Sequence, residues 1–261
     1  MKVVYWDRHG DEYRRVSGQL APFDISVEKY VSATPPTAGD VFFVHETDWF
    51  SNLSPFVRSR TILSLTQRID GKWRQYGVRH AIFKHNNHAT EWGEGGFCVP
   101  PLCGAQVSDG GSDIVSLIND WKVRDATSFQ FAAQIPGLKM YGSGPGQLGW
   151  AQDFEVLRKS RFLVHVKHLG YLCNAVVKAI VMGVPVLTDP ETLNYGYDDL
   201  LIPGQTCVVS PDIEILKLAA RMQDDEYRVL RDNCLALRSR LTAPDPLVRD
   251  LVTFMHELIR N

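Results

Sequence analysis

Residues 138–190 read LKMYGSGPGQLGWAQDFEVLRKSRFLVHVKHLGYLCNAVVKAIVMGVPVLTDP, and the punctuation of this stretch decides the fold. LKMYG (138–142) and FLVHV (162–166) are short apolar runs, each closed by glycine or polar residues, the pattern of buried strands. Residues 153–159 between them carry helical spacing. NAVVKAIVM (174–182) is long enough for a helix and stops at Gly183, a residue suited to the left-handed cap, with Pro185 enforcing the stop before VPVLTD (184–189). The alternation continues in both directions. IVSLIN (114–119) reads as a strand, 126–135 as a helix, and TCVVS (206–210) as another strand. Strand and helix alternate in the order βαβαβαβ, the mark of an α/β, Rossmann-type doubly wound parallel sheet. Beyond it, 212–222 and 224–241 repeat apolar residues at helical spacing, and Pro244 and Pro246 set off a last amphipathic helix at 247–259.

The first third of the chain carries KVVYW (2–6), DVFFVH (40–45), RTILSL (60–65) and HAIFKH (80–85). These runs are nearly continuous in apolar residues instead of alternating, which predicts a parallel sheet covered on both faces. The intervening pieces, such as 11–20 and 49–58, are short, so this half reads as a trimmed α/β unit. Residues 91–111, EWGEGGFCVPPLCGAQVSDGG, are rich in glycine and proline and lack periodicity, the composition of a connector or hinge. The expected organisation is therefore an N-terminal Rossmann-like domain at 1–100, a second at 101–243, and a C-terminal helix at 244–261 with the option of crossing back to the first domain. A length of 261 residues accommodates two compact halves.

Composition is that of an ordinary globular protein, with 44% hydrophobic and 22% charged residues. The net charge of −2 gives no global attraction to nucleic acid or an anionic membrane. Cys98, Cys103, Cys173, Cys207 and Cys234 are odd in number and widely spaced, which fits a reducing cytoplasm better than a disulfide framework. Cys98 and Cys103 lack a second pair at zinc-site spacing, and no metal is expected. The start, MKVVYWDRHG, has no apolar leader region, and no run of about 20 apolar residues occurs, so no integral membrane contact is expected. Gly-x-Ser-x-Gly, Walker and His-Glu-x-x-His patterns are absent, which removes the most recognisable hydrolase, NTPase and metalloprotease classes.

In an open parallel sheet, ligands bind beyond the carboxyl ends of the strands. Gly142, Ser143 and Gly144 follow the strand at 138–142, and such a turn lets backbone approach a bulky ligand. Lys167, His168, Leu169, Gly170, Tyr171, Leu172 and Cys173 follow FLVHV and lead into the helix that opens at Asn174. A helix start offers unpaired N–H groups and the positive end of its dipole to a phosphate or diphosphate, and Lys167 or His168 could add charge.

On these residues the chain resembles the donor-binding half of retaining GT-B glycosyltransferases. In that superfamily a strand ending in Tyr-Gly-x-Gly is followed by a strand, a loop, and a helix ending in Ala-x-x-x-Gly-x-Pro-Val; Ala179, Gly183, Pro185 and Val186 match the last element position by position. The stretch IVSLINDWKVRD resembles the domain's first strand, after which Arg and Lys contact the donor diphosphate, making Lys122 and Arg124 the counterparts and Asn119 their neighbour. The resemblance covers roughly 112–241. It implies a two-Rossmann-domain, GT-B-like α/β fold and a donor site built from Asn119, Lys122, Arg124, Gly142, Ser143, Gly144, His168, Gly170, Tyr171, Leu172, Asn174 and Lys178. Many retaining members carry two glutamates seven residues apart, and here those positions hold Gly170 and Lys178. A lysine has donors only and cannot accept hydrogen bonds from ribose hydroxyls. Lys178 is left as either a phosphate contact or an exposed helix residue.

The implied activity is transfer of a hexosyl or pentosyl group from a nucleotide-sugar co-substrate to an acceptor hydroxyl, with no tightly bound cofactor. The acceptor could be a glycan, a lipid-linked sugar or a modified DNA base. A nucleotide-sugar epimerase of the same fold, or a non-catalytic Rossmann-like binding protein, are the alternatives. An inverting reaction additionally needs a general base. His45, Glu46 and Asp48 form the densest titratable cluster directly after an apolar strand and are the catalytic candidates, with Asp7, His9, His85 and His88 as acceptor-side groups. Most of the six tryptophans read as core, with Trp49 and Trp92 as candidates for stacking on a sugar.

Overall fold

The computed structural model describes residues 1–6, 11–32, 34–45, 53–64, 78–83, 89–90, 92–99, 107–118, 126–142, 148–149, 152–168, 173–194, 197, 199–242 and 248–260. The chain divides into two compact units, one formed by 1–102 with 243–261 and the other by 103–242.

The first unit contains strands β1 (Val3–Trp6), β2 (Val27–Tyr30), β3 (Val41–His45), β4 (Thr61–Ser64), β5 (Ala81–Phe83) and β6 (Gly96–Cys98). All pair in parallel, in the order β2-β1-β3-β4-β5-β6. The unbroken apolar runs have the reason expected of them, because successive side chains enter two different cores. Val3, Tyr5, Val41, Phe43, Ile62 and Ile82 face one way, against Val16 and Leu20 of helix α1 (Asp11–Leu20) and Val248, Leu251 and Met255 of the last helix, Val248–Arg260. Val4, Trp6, Phe42, Val44, Leu63 and Phe83 face the other way, over Val57 of α2 (Pro55–Ser59) and over Trp92. The connector expected at 91–111 is not all loop. Its residues 96–98 form β6, an edge strand whose Ile82↔Phe97 register is set by β5. Trp92 is likewise not a sugar platform: it is 2% exposed, and its indole N–H donates to the carbonyl of Arg79.

The second unit contains β7 (Asp113–Leu117), α3 (Ala126–Ala133), β8 (Leu138–Tyr141), α4 (Asp153–Arg158), β9 (Ser160–Val164), α5 (Asn174–Met182), β10 (Val186–Thr188), α6 (Pro190–Leu193), β11 (Cys207–Val209), α7 (Ile213–Ala219) and α8 (Asp224–Thr242). Its parallel strands run in the order β11-β10-β9-β7-β8. Seven of the nine residues of α5 are buried, and such an all-round apolar helix belongs inside a unit. Gly183 ends it at φ 72, and a Cβ there would come within 2.9 Å of the Leu235 side chain of α8, so the position requires glycine twice over. The last helix, now α9 (Val248–Arg260), belongs to the first unit and packs on α1, β3 and β6. No helix among the described residues is long and apolar enough to cross a membrane.

Candidate functional site

Strand order locates the ligand crevice in each unit. Where two adjacent strands send their connections in opposite directions, the loops leave a cleft beyond the carboxyl ends. In the second sheet that switch point lies between β7 and β9, because the chain goes from β7 out to β8 and returns to β9 on β7's other side. In the first sheet it lies between β1 and β3.

At the second switch point the structure brings together His168, which follows β9, Ser128 in the first turn of α3, and Asp189, which follows β10. The His168 Nε2 lies 2.5 Å from Asp189 Oδ2. A carboxylate can only accept, so Nε2 carries the proton. The other ring nitrogen, Nδ1, lies 2.9 Å from the hydroxyl of the fully buried Ser128. Asp189 is also the N-cap of α6: its Oδ1 accepts from the Thr192 backbone N–H at 3.0 Å and from the Thr192 hydroxyl at 2.5 Å. The Thr192 hydroxyl oxygen in turn accepts from the backbone N–H of Lys167 at 3.0 Å. Three hydrogen bonds thus join Lys167, Thr192, Asp189 and His168, and the peptide bond between Lys167 and His168 closes the cycle.

A second network reaches the same connection from its far end. The hydroxyl of Tyr197, a side chain 1% exposed, accepts from the backbone N–H of Cys173 at 3.1 Å and lies 2.9 Å from Nε2 of the buried His165. Burial, with the Cys173 thiol as a lesser contributor, pushes the Tyr197 hydroxyl well above its ordinary range, so it keeps its proton. Besides accepting from Cys173, it shares a hydrogen bond with His165 whose direction follows the imidazole tautomer. Cys173 is the N-cap of α5 and makes no side-chain capping bond, and the first turn of the helix carries no acidic residue. The N-terminal end of α5 is therefore free of a carboxylate in its own first turn, which suits an anionic ligand.

Of the expected donor residues, Asn174 and Lys178 are the two positions of α5 that are not buried, and they share a face at i, i+4. Lys178 pairs with Asp153 of α4 at 2.8 Å and lies 5.3 Å from the centroid of the Phe154 ring. Its charge is thus balanced within the unit. Gly142 follows the edge strand β8 at φ 145 and forms an antiparallel bridge with Gly149, donating its N–H to the Gly149 carbonyl at 2.8 Å. Asn119, Lys122, Arg124, Ser143, Gly144, Gly170, Tyr171 and Leu172 lie outside the described residues.

In the first unit, β1 ends at Trp6 and β3 at His45, the two strands that flank the switch point, and they run side by side with Trp6 opposite Val44. The candidates Asp7, His9, Glu46 and Asp48 come directly after these ends in sequence; they lie outside the described residues, as do Trp49, His85, His88 and the side chain of His45. Sequence reasoning missed Arg15 of α1. It is 4% exposed and donates to the Val99 carbonyl and, at 3.2 Å, to the Ser64 hydroxyl at the end of β4. A cavity of about 680 Å³ lined by Val78, Arg79, His80, Trp92, Gly93 and Glu94 precedes β5 and β6. It therefore lies at the amino edge of the sheet, opposite the ligand-binding edge.

Among the described residues, one group has metal-ligand chemistry: His168, Asp189 and Glu191 offer donor atoms within 4.8 Å of one another. Asp189 lies against Nε2 and Glu191 against Nδ1, at 3.5 Å. With the carboxylates at different nitrogens of one ring, a single ion could not take all three donors without turning the imidazole out of its bonds to Asp189 and Ser128.

No protein-family model matches the chain, and no curated protein matches it by sequence. Solved structures do match. The chain is similar to HepE (Alr3699) of Anabaena in complex with UDP and glucose, at 10% identity and TM-score 0.70, over 98% of this chain and 100% of that one. It is similar to a sucrose-phosphate synthase from Thermosynechococcus elongatus, at 12% identity and TM-score 0.69, over 100% and 99%. It is also similar to AviGT4, a glycosyltransferase of avilamycin A biosynthesis, at 11% identity and TM-score 0.66, over 100% and 98%. At such identities the likeness is one of architecture, and together with the two doubly wound parallel sheets it gives this chain the GT-B fold.

Proposed function

We propose that this protein is a glycosyltransferase that moves a sugar from a nucleoside-diphosphate sugar to an acceptor hydroxyl. The observation that carries the reading is the likeness, over essentially the whole of both chains, to HepE, whose structures hold UDP, UDP-glucose, or UDP and glucose. The described part of the second unit supports it. Its switch point presents the start of α5, whose first turn carries no acidic residue, and the His168 and Asn174 positions beside it.

In this reading the donor's diphosphate meets the start of α5, with Lys122 and Arg124 as further cations, while Gly142, Ser143 and Gly144 leave room for the nucleotide. N–H groups and cations there stabilise charge that builds on the departing phosphate as the glycosidic bond breaks. Lys178, paired with Asp153, contributes packing and charge balance at the edge of this site instead of a free cation for phosphate. His45, Glu46 and Asp48, with Asp7 and His9, follow the switch-point strands of the first unit and are the groups from which a base for the acceptor hydroxyl would come. The same reading places the protein in the cytoplasm, where nucleotide sugars are available.

The test is thermal. UDP, GDP, ADP, dTDP and CMP, and UDP-glucose as first donor, are added singly. A nucleotide at about a hundredfold its Kd adds about 2.7 kcal/mol and raises the melting temperature. If none of the panel raises it, the donor-site reading is wrong. Donor breakdown that proceeds only with acceptor present distinguishes transfer from epimerisation, which needs no acceptor.

A further inference from the structure

The connection between β9 and α5 is fastened at both ends by polar networks, the near one of which also caps α6 through Asp189. At the near end, three hydrogen bonds join four groups, the Lys167 N–H, the Thr192 hydroxyl, the Asp189 carboxylate and the His168 imidazole, and the chain between Lys167 and His168 closes the ring. Ser128 ties that ring to α3. At the far end the Tyr197 hydroxyl, from the segment after α6, holds the N–H of Cys173, the residue that caps α5. The first residues of α5 therefore inherit their position from side chains that lie at most 12% exposed for Asp189 and 1% for Tyr197.

Buried polar networks of this kind stand or fall as units. A satisfied network fixes the geometry of its members, and loss of one member leaves the others with unpaired groups. The satisfied network matters here because a helix start binds an anion through N–H directions, and those directions are set by where the first turn sits. A displacement of about 1 Å at a binding group can cost two orders of magnitude in rate or affinity.

We propose that Asp189 and Tyr197 are positioning residues for a diphosphate-bearing ligand: Asp189, through His168 and Thr192, and Tyr197, through the Cys173 amide, fix the chain on either side of the β9–α5 connection so that the start of α5 meets the diphosphate in one geometry. The inference rests on the donor-site reading above and adds to it the residues that build the site without touching the ligand. Asp189 and Tyr197 lie 21 and 29 residues from His168 in sequence, and neither follows from the resemblance that suggested the donor site.

The experiment compares UDP with uridine, by calorimetry for the first and by NMR titration for the second, in the full chain and in Tyr197→Phe, Asp189→Ala and Asp189→Asn. Phenylalanine keeps the ring packing and removes only the hydroxyl. Asparagine keeps an acceptor and a helix cap, so it serves as the conservative rescue. Expected are a loss of about tenfold in UDP affinity for Tyr197→Phe and Asp189→Ala, unchanged uridine affinity, and recovery of most of the loss in Asp189→Asn. A merely structural role would lower both affinities together as the folded fraction falls, and that result overturns the proposal, as does UDP affinity within about twofold of the parent in both variants. If the parent chain itself binds UDP no better than uridine, the donor-site reading falls, and the positioning role falls with it.

Discussion

His80 shows how one side chain sets a pH limit on the first unit. It stands one residue before β5, its ring 4.4 Å from that of Phe254 on α9, and its Nδ1 is buried with no partner among the described residues. Burial holds its pKa below 6.5, Arg79 pushes the same way, and Glu94 opposes them with a smaller effect. The sign follows from linkage. The folded state takes up the proton at lower pH than the unfolded chain, so stability is full above 6.5 and falls as pH drops from 6.5 toward the folded value. The expected outcome is a melting temperature for the first unit that declines between about pH 6.5 and pH 5, with a shallower decline in His80→Gln. Equal slopes in the two proteins would remove His80 from the account. Residues such as His80 and His168 differ in legibility for a physical reason. His168 could be found because it follows a strand in a parallel sheet, a position that topology alone makes a ligand-facing one. Its partners Ser128 and Asp189, 40 and 21 residues away, are ordinary polar residues in sequence and acquire meaning only when three connections converge. Trp92 misled in the opposite direction, since polar neighbours in sequence hid a side chain that the fold turns into the core.

At the scale of elements, long apolar runs announced themselves and short polar-edged ones did not. β1, β3, β4 and β9 bury nearly every residue and read as strands at once. β2 is VEKY, with two exposed residues at the edge of its sheet, and β6 is GFC, three residues between glycines and prolines. Both are strands because a neighbour supplies the ladder, which composition does not record. Arg15 links these elements. From α1 it reaches the end of β4 and the residue after β6, so a charged side chain that reads as helix surface in sequence ties the carboxyl edge of the sheet together. Replacement by methionine keeps the apolar stem but leaves the Val99 carbonyl and the Ser64 hydroxyl without this donor. The expected cost is about 2–4 kcal/mol. It would be seen as a lower urea midpoint with unchanged slope, and a midpoint within error of the parent would show that water or other groups replace the guanidinium.

The chain folds into two compact units, and the threading is asymmetric: the second unit is the continuous stretch 103–242, whereas the first is completed by 243–261. Of α9, Val248, Leu251, Val252 and Met255 are buried, and Phe254 meets both His80 and Phe97. Burying an aliphatic side chain is worth about 1.5–3 kcal/mol, so four of them contribute roughly 6–12 kcal/mol, comparable with the 5–15 kcal/mol or so by which a whole domain is stable. A chain ending at Thr242 should therefore lose the fold of residues 1–102 and keep that of 103–242. Ser128, His168, Asp189, Thr192 and Tyr197 all lie in the continuous unit, so, if the proposed function holds, nucleotide binding should survive the truncation and sugar transfer, with its base candidates at 7–48, should be lost. Hydrogen exchange read by mass spectrometry distinguishes the outcomes. Fast exchange confined to 1–102, with UDP still protecting the start of α5, is the expected result. Protection of β1, β3 and β4 equal to that of the full chain would mean that α9 merely covers a core already stable without it, and loss of protection in both units would mean that residues 103–242 do not fold independently.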